Sequence, residues 1–303
     1  MIKNPQPPKV VLGTVIKMNK LFAIFLSILI VTLGAVVNKA ICANRASADE
    51  KSALNPAFGN MHATAVKQIS ITVVYDNNPY REGLSTSWGF SCLIRGTEKT
   101  ILFDTGGNGF VLLENMKRLG IDPGEIGLVF LSHIHADHIR GLEQFLEANN
   151  KASVFLPASF PENFKIRLKS RGIKIAEVQY PTKICEAVFS TGLMGTMLKE
   201  QSLILHTDQG LILITGCAHP GIVNIIEAAK NLFRDDVLSV MGGFHLGGMQ
   251  KSDLKKIITR FKQSGIKHVG PCHCSGDRAR AMFKETYQKN YIDVGVGAVL
   301  KFQ

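Results

Sequence analysis

Apolar residues recur along the chain in two rhythms. Short runs rich in Ile, Val, Leu and Phe predict buried strands at residues 69–75, 88–94, 100–103 and 128–131. Further runs predict strands at 202–205, 211–215, 237–241, 267–269 and 295–302. Apolar positions spaced by three or four predict helices at 111–119, 139–148, 222–232, 252–263 and 277–288. Strands, a helix, more strands and then alternating helices and strands imply layers of sheet covered by helices. Residues 158–200 follow neither rhythm. They mix Lys165, Arg167, Lys169, Arg171 and Lys174 with short apolar pieces, and read as solvated surface or as a loop region shaping a pocket for an anionic substrate.

The N-terminal part is different. Residues 21–37 form a run of 17 residues without a charge, preceded by Lys17 and Lys20. A basic start, an apolar middle and the small residues Ala46, Ser47 and Ala48 have the layout of a secretory signal. An uncleaved membrane anchor is the alternative, at the short end of the length a spanning helix needs. The expectation is an exported protein, periplasmic or secreted, or one anchored through residues 21–37, with this segment engaging the membrane or the export machinery. Residues 49–68 read as a polar linker, and 69–303 as the folded domain.

Charge changes this picture little. The formal net charge is +11, but six of the 35 basic residues lie in residues 1–48, which hold no acidic residue. The rest carries 29 basic against 24 acidic side chains. No basic stripe with interleaved aromatics appears, so nucleic acid is not an expected partner. The six cysteines form neither a small-domain disulfide framework nor a paired C-x-x-C module.

The chemistry gathers at strand ends. The stretch Ser132-His133-Ile134-His135-Ala136-Asp137-His138 follows the apolar run 128–131 and packs three imidazoles and a carboxylate into six residues. Neutral imidazole and carboxylate are the usual donors to zinc and its first-row neighbours. Four more strand ends carry Asp104, His219, His245 and His273. Cys272 and Cys274 flank His273 and read as a soft metal site or, since alternation along an extended segment would turn them to the face opposite His273, as packing residues, the favoured reading.

These motifs resemble a known family. SHIHADH matches the His-x-His-x-Asp-His signature of the metallo-β-lactamase superfamily, and FDTGG at 103–107 is similar to its first motif. GCAHPGI at 216–222, GGFHL at 242–246 and PCHCSG at 271–276 resemble the narrower group of 7,8-dihydropterin-6-methyl-4-(β-D-ribofuranosyl)-aminobenzene-5'-phosphate synthase-like proteins. The resemblance implies an α/β fold, an αββα sandwich, with a site for two metal ions. His133, His135 and His219 would bind the first ion, and Asp137, His138 and His273 the second. Asp104 would orient the ligand loop. The bridging acid of most two-metal members has no aspartate counterpart at a strand end. Asp235 and Asp236 precede a strand, and Cys217 ends one and could take the bridging place.

The implied activity is that of a metal-dependent hydrolase using zinc, with manganese or iron as alternatives. A metal-bound hydroxide would attack an ester or phosphoester of a small-molecule substrate. Asp137 would bind metal and orient the hydroxide; His245 would be an extra ligand, or contact substrate or donate a proton. The alternatives are a pterin-linked synthase-type reaction and a mononuclear iron dioxygenase.

Overall fold

The computed structural model describes residues 68–302, and the expected signal or anchor and nearly all of the expected linker lie outside the described residues. Among the described residues, no helix is long and apolar enough to cross a membrane.

Thirteen strands are described. They are β1 (Ile69–Asp76), β2 (Phe90–Arg95), β3 (Ile101–Phe103), β4 (Leu128–Phe130), β5 (Ser153–Pro157), β6 (Ile175–Val178) and β7 (Thr182–Cys185), then β8 (Val188–Ser190), β9 (Leu203–Thr207), β10 (Gly210–Thr215), β11 (Val237–Gly243), β12 (His268–Cys272) and β13 (Val299–Phe302). The helices are α1 (Gly109–Arg118), α2 (Ala136–Ile139), α3 (Leu142–Ala148), α4 (Glu162–Ser170), α5 (Ile222–Phe233), α6 (Lys251–Gln263) and α7 (Asp277–Tyr287). One sheet runs β13-β1-β2-β3-β4-β5-β6, the other β12-β11-β10-β9-β8-β7. The ligand-bearing strands have parallel partners: β4 is parallel to both β3 and β5, and β10, β11 and β12 are consecutive and parallel to one another.

Alternation within the strands explains the layers. Leu128 and Phe130 join the cluster between the sheets with Ile212 and Ile214, while Val129 faces α1, α3 and α4. Leu211 and Leu213 face outward, among the buried residues of α5, α6 and α7. Both faces of these strands are covered, so their sequences read as continuous apolar runs. Each large side chain so buried contributes about 1.5–3 kcal/mol relative to exposure. The result is the expected αββα sandwich.

Three local expectations need correction. The helix expected over 139–148 is broken: α2 ends at Ile139 and α3 begins at Leu142. Gly141 stands between them, and a Cβ there would lie 2.0 Å from the Thr105 carbonyl oxygen, so the chain presses against the FDTGG loop. The last strand is shorter than expected because Gly297 adopts φ of 92°. Residues 158–200 are not simply loop, since they hold α4 and the short strands β6, β7 and β8. Their cations are largely engaged: Lys165 and Lys169 pair with Glu177, and Arg167 with Glu143.

Candidate metal centre

Strand β3 delivers Asp104, which adopts φ of 52° and turns its carboxylate onto the loop after β4. It accepts the Ser132 N–H, the Ser132 hydroxyl and the His138 Nδ1–H, each at 2.7 Å. Because the Ser132 proton goes to Asp104, the hydroxyl oxygen accepts from His133 Nδ1 at 2.8 Å. Both imidazoles are thereby fixed in the tautomer that leaves Nε2 free as a donor to metal. The one-turn helix α2 locks the same loop, with the His138 carbonyl accepting the Thr105 N–H at 2.8 Å and the Thr105 hydroxyl at 2.9 Å.

The second sheet supplies the facing side. After β10, Cys217, Ala218 and His219 wrap around the buried Glu200, whose carboxylate accepts their three N–H groups at 2.8–2.9 Å. It also accepts His219 Nδ1–H at 2.8 Å. After β12, His273 adopts φ of 49° and donates Nδ1–H to Asn77 Oδ1 at 2.9 Å. Four imidazoles from three loops are thus each held through Nδ1.

The donors converge. Ligand atoms of Asp137, His138, Cys217 and His273 lie within 4.8 Å of one another, as do those of His133, Cys217 and His219. His135 is exposed, and its ring centroid is 4.8 Å from that of His133 and 4.9 Å from that of His219. Cys217 belongs to both groups, and its Sγ is 3.2 Å from His138 Nε2.

Electrostatics favours a cation here. Burial first, and neighbouring imidazoles next, push His133 and His138 down to about 3, so both are neutral near pH 7. Burial works against the Asp137 charge, but the neighbouring His273 and His138 rings hold its carboxyl well below the usual range. Glu200 also resists burial: the His219 hydrogen bond and nearby His133 bring it down to about 2. Asp104 goes the other way, burial lifting it to about 7. His133 Nε2 and His273 Nε2 are buried without a hydrogen-bond partner. Two orphaned nitrogens close to a carboxylate and a cysteine sulfur are what a bound divalent ion would satisfy, so the residues present fit the metal that the sequence motifs imply.

Comparison with known proteins agrees. Residues 89–230 match the metallo-beta-lactamase superfamily. An uncharacterized protein of Methanocaldococcus jannaschii is 30% identical over 265 residues, covering 76% of this chain and 99% of its own length. This chain belongs to the metallo-β-lactamase superfamily. Another relative in the superfamily's narrower synthase-like group is the 7,8-dihydropterin-6-methyl-4-(beta-D-ribofuranosyl)-aminobenzene-5'-phosphate synthase of the same organism. It is 26% identical over 292 residues, covering 80% of this chain and 99% of its own length. A solved structure, a metal-dependent hydrolase of the β-lactamase superfamily, superposes with a TM-score of 0.64 at 28% identity, covering 77% of this chain and 98% of its own.

Within this superfamily frame, the structure brings together all six residues expected as metal ligands and sets Asp104 behind His138. His245 stands at the edge, exposed, its ring 4.5 Å from that of His219. Asp235 pairs with His206 and Asp236 with Lys230. The packing role expected for the cysteines holds for Cys272, which lies in the inter-sheet core, and fails for Cys274. The chain leaves extended geometry after β12 and forms a short 3-10 turn, so strand alternation does not apply to residues 273–275. Glu200 and Asn77 lie outside every sequence motif that points to the site. Glu200 is the only acid between Glu186 and Asp208, in a polar run entering a buried strand, and Asn77 sits in a polar turn after β1.

Proposed function

We propose that this chain is a metal-dependent hydrolase of a small ester or phosphoester, using zinc at the two overlapping donor groups. The observation that carries the reading is the convergence of imidazoles, each fixed through Nδ1 with Nε2 inward, around Asp137 and Cys217. The 28% identity to a metal-dependent hydrolase supports it.

His133, His135 and His219 would hold one ion, and Asp137, His138 and His273 the other, with Cys217 as the shared donor where an acid commonly bridges. Ions held there would acidify a water and polarise the substrate oxygen that gains negative charge. The chain's own part is orientation. Asp137 Oδ2 lies 3.2 Å from His273 Nε2 and 3.7 Å from His138 Nε2, so an acceptor-only group faces the donors. It would accept a hydrogen bond from the attacking water and aim its lone pair at the substrate. Asp104 and Glu200 keep His138 and His219 in the metal-binding tautomer throughout.

Metal content and turnover, measured together on phosphodiesters, phosphomonoesters, lactones and thioesters, test this. The expected result is zinc-dependent hydrolysis of one class, abolished in His135→Ala. Undiminished turnover of that variant in saturating metal contradicts it. A second reading, synthase-type chemistry on a reduced pterin, is supported by the full-length likeness to the named synthase. A joined product formed from a reduced pterin, with no hydrolysis in the screen, would favour that reading.

A further inference from the structure

Cys217 has a second set of neighbours on the side of the six-stranded sheet. Its Sγ, a ring nitrogen of His245 and the Cys274 Sγ lie within 4.8 Å of one another. The three residues follow β10, β11 and β12, adjacent parallel strands of one sheet. Their meeting depends on backbone features outside the donors themselves. Gly243 clears the space: a Cβ there would stand 2.7 Å from Cys274 Sγ and 2.3 Å from the Gly216 carbonyl oxygen. His245 adopts φ of 52°, a left-handed conformation that non-glycine residues adopt at a cost when surrounding contacts enforce it. Those contacts are present, because Gly247 N–H donates to the Cys274 carbonyl at 3.2 Å and Phe244 N–H to Ser275 Oγ at 3.0 Å. The loops after β11 and β12 are therefore laced together around His245 and Cys274.

We propose that Cys217, His245 and Cys274 form a further metal position, selective for a thiophilic divalent ion of the zinc type, beside the histidine–aspartate groups and sharing Cys217 with them. Two sulfurs and one imidazole suit zinc or cobalt and not magnesium, calcium or manganese, which prefer oxygen. Three protein donors with His245 exposed leave the remaining coordination position open to solvent, the arrangement of exchangeable rather than closed structural sites. The assignment makes His245 a metal donor in place of an acid, and it gives Cys274 a use. It shares Cys217 with the hydrolytic reading, while its other two donors, His245 and Cys274, lie outside the two donor groups on which that reading rests.

The test is a cobalt titration of the full chain, stripped of metal and kept under reductant. Bound cobalt is counted while thiolate-to-cobalt absorption is followed in the near ultraviolet. Wild type is expected to develop the thiolate band. Cys274→Ser should lose about half of it, as one of two sulfurs goes, together with one equivalent of cobalt. His245→Ala, an exposed change that spares the fold, should lose the same equivalent. His135→Ala should keep the band while losing cobalt from the histidine groups. Wild-type band and wild-type stoichiometry in both Cys274→Ser and His245→Ala overturn the proposal. So does disappearance of the band in His135→Ala, because the sulfur would then serve the histidine groups alone. The hydrolytic reading is judged separately, by turnover of His135→Ala.

Discussion

The two sheets furnish the site in different ways. The seven-stranded sheet delivers four candidate donors in one loop after β4, all nitrogen or oxygen, braced by Asp104 and Ser132. The six-stranded sheet delivers its donors one strand end at a time, braced by Glu200, and mixes imidazole with the sulfurs of Cys217 and Cys274. The donors of the first side are neighbours in a single turn of the chain. The second exists only because β10, β11 and β12 lie side by side. The contrast separates a compact hard-donor side from a distributed and softer one.

Breaking both sides at once should have the largest effect. A chelator is expected to reduce turnover to background, and zinc or cobalt to restore it; activity that survives complete metal removal would contradict the metal-dependent reading. Next come the braces. Glu200→Gln and Asp104→Asn should each weaken metal affinity by about 10–100-fold, measured by competition with a chromophoric chelator. A loss confined to one of them would show that one sheet carries the binding. Glu200 orients a whole loop as well as His219, so it is expected to cost the more of the two.

Acid should sharpen the comparison further. His133 and His138, both after β4, have folded-state values of about 3 against an ordinary 6.5. Between those values the unfolded chain binds more protons than the folded one, so stability is fully present above about pH 6.5 and declines as pH falls toward 3. The expected slope is about 1.4 kcal/mol per pH unit for each histidine, with Asp104, lifted to about 7 from 3.8, offsetting about one of them between those values, read from denaturant midpoints of the metal-free protein. Glu200, lowered to about 2 from 4.5, adds its own loss only below about pH 4.5. A profile that is flat from pH 6.5 to 4.5 and falls below it would shift the acid sensitivity to the six-stranded side. The smallest effect belongs to α4, away from either donor set: Arg167→Ala removes an exposed pair with Glu143 and should change stability by no more than about 0.5 kcal/mol.

The contrast also explains what was legible beforehand. Runs such as Leu128 to Phe130 and Ile212 to Ile214 announce buried strands because both of their faces are covered. The histidine cluster after β4 is readable because its residues are neighbours in the chain. Glu200 is not, because its importance lies in three N–H groups and an imidazole 17 to 19 residues away. Cys274 departs from strand alternation because the chain leaves extended geometry after Cys272. Short β6, β7 and β8 were obscured by their length, three or four residues each, too few to establish a period.

Gly216 carries a consequence for how such a pocket could be altered. A Cβ at that residue would fall 2.1 Å from Ser132 Oγ and 3.1 Å from Asp104 Oδ2, so main chain from one sheet rests directly on the polar brace of the other. The gauge between the two banks of donors is therefore set by peptide against side chain, with no deformable group between them. Swapping side chains in the core will not widen or narrow that gap by small steps. Variation in what this pocket accepts must come from the loops at its rim, while the spacing of the donors behaves as a fixed dimension of the scaffold.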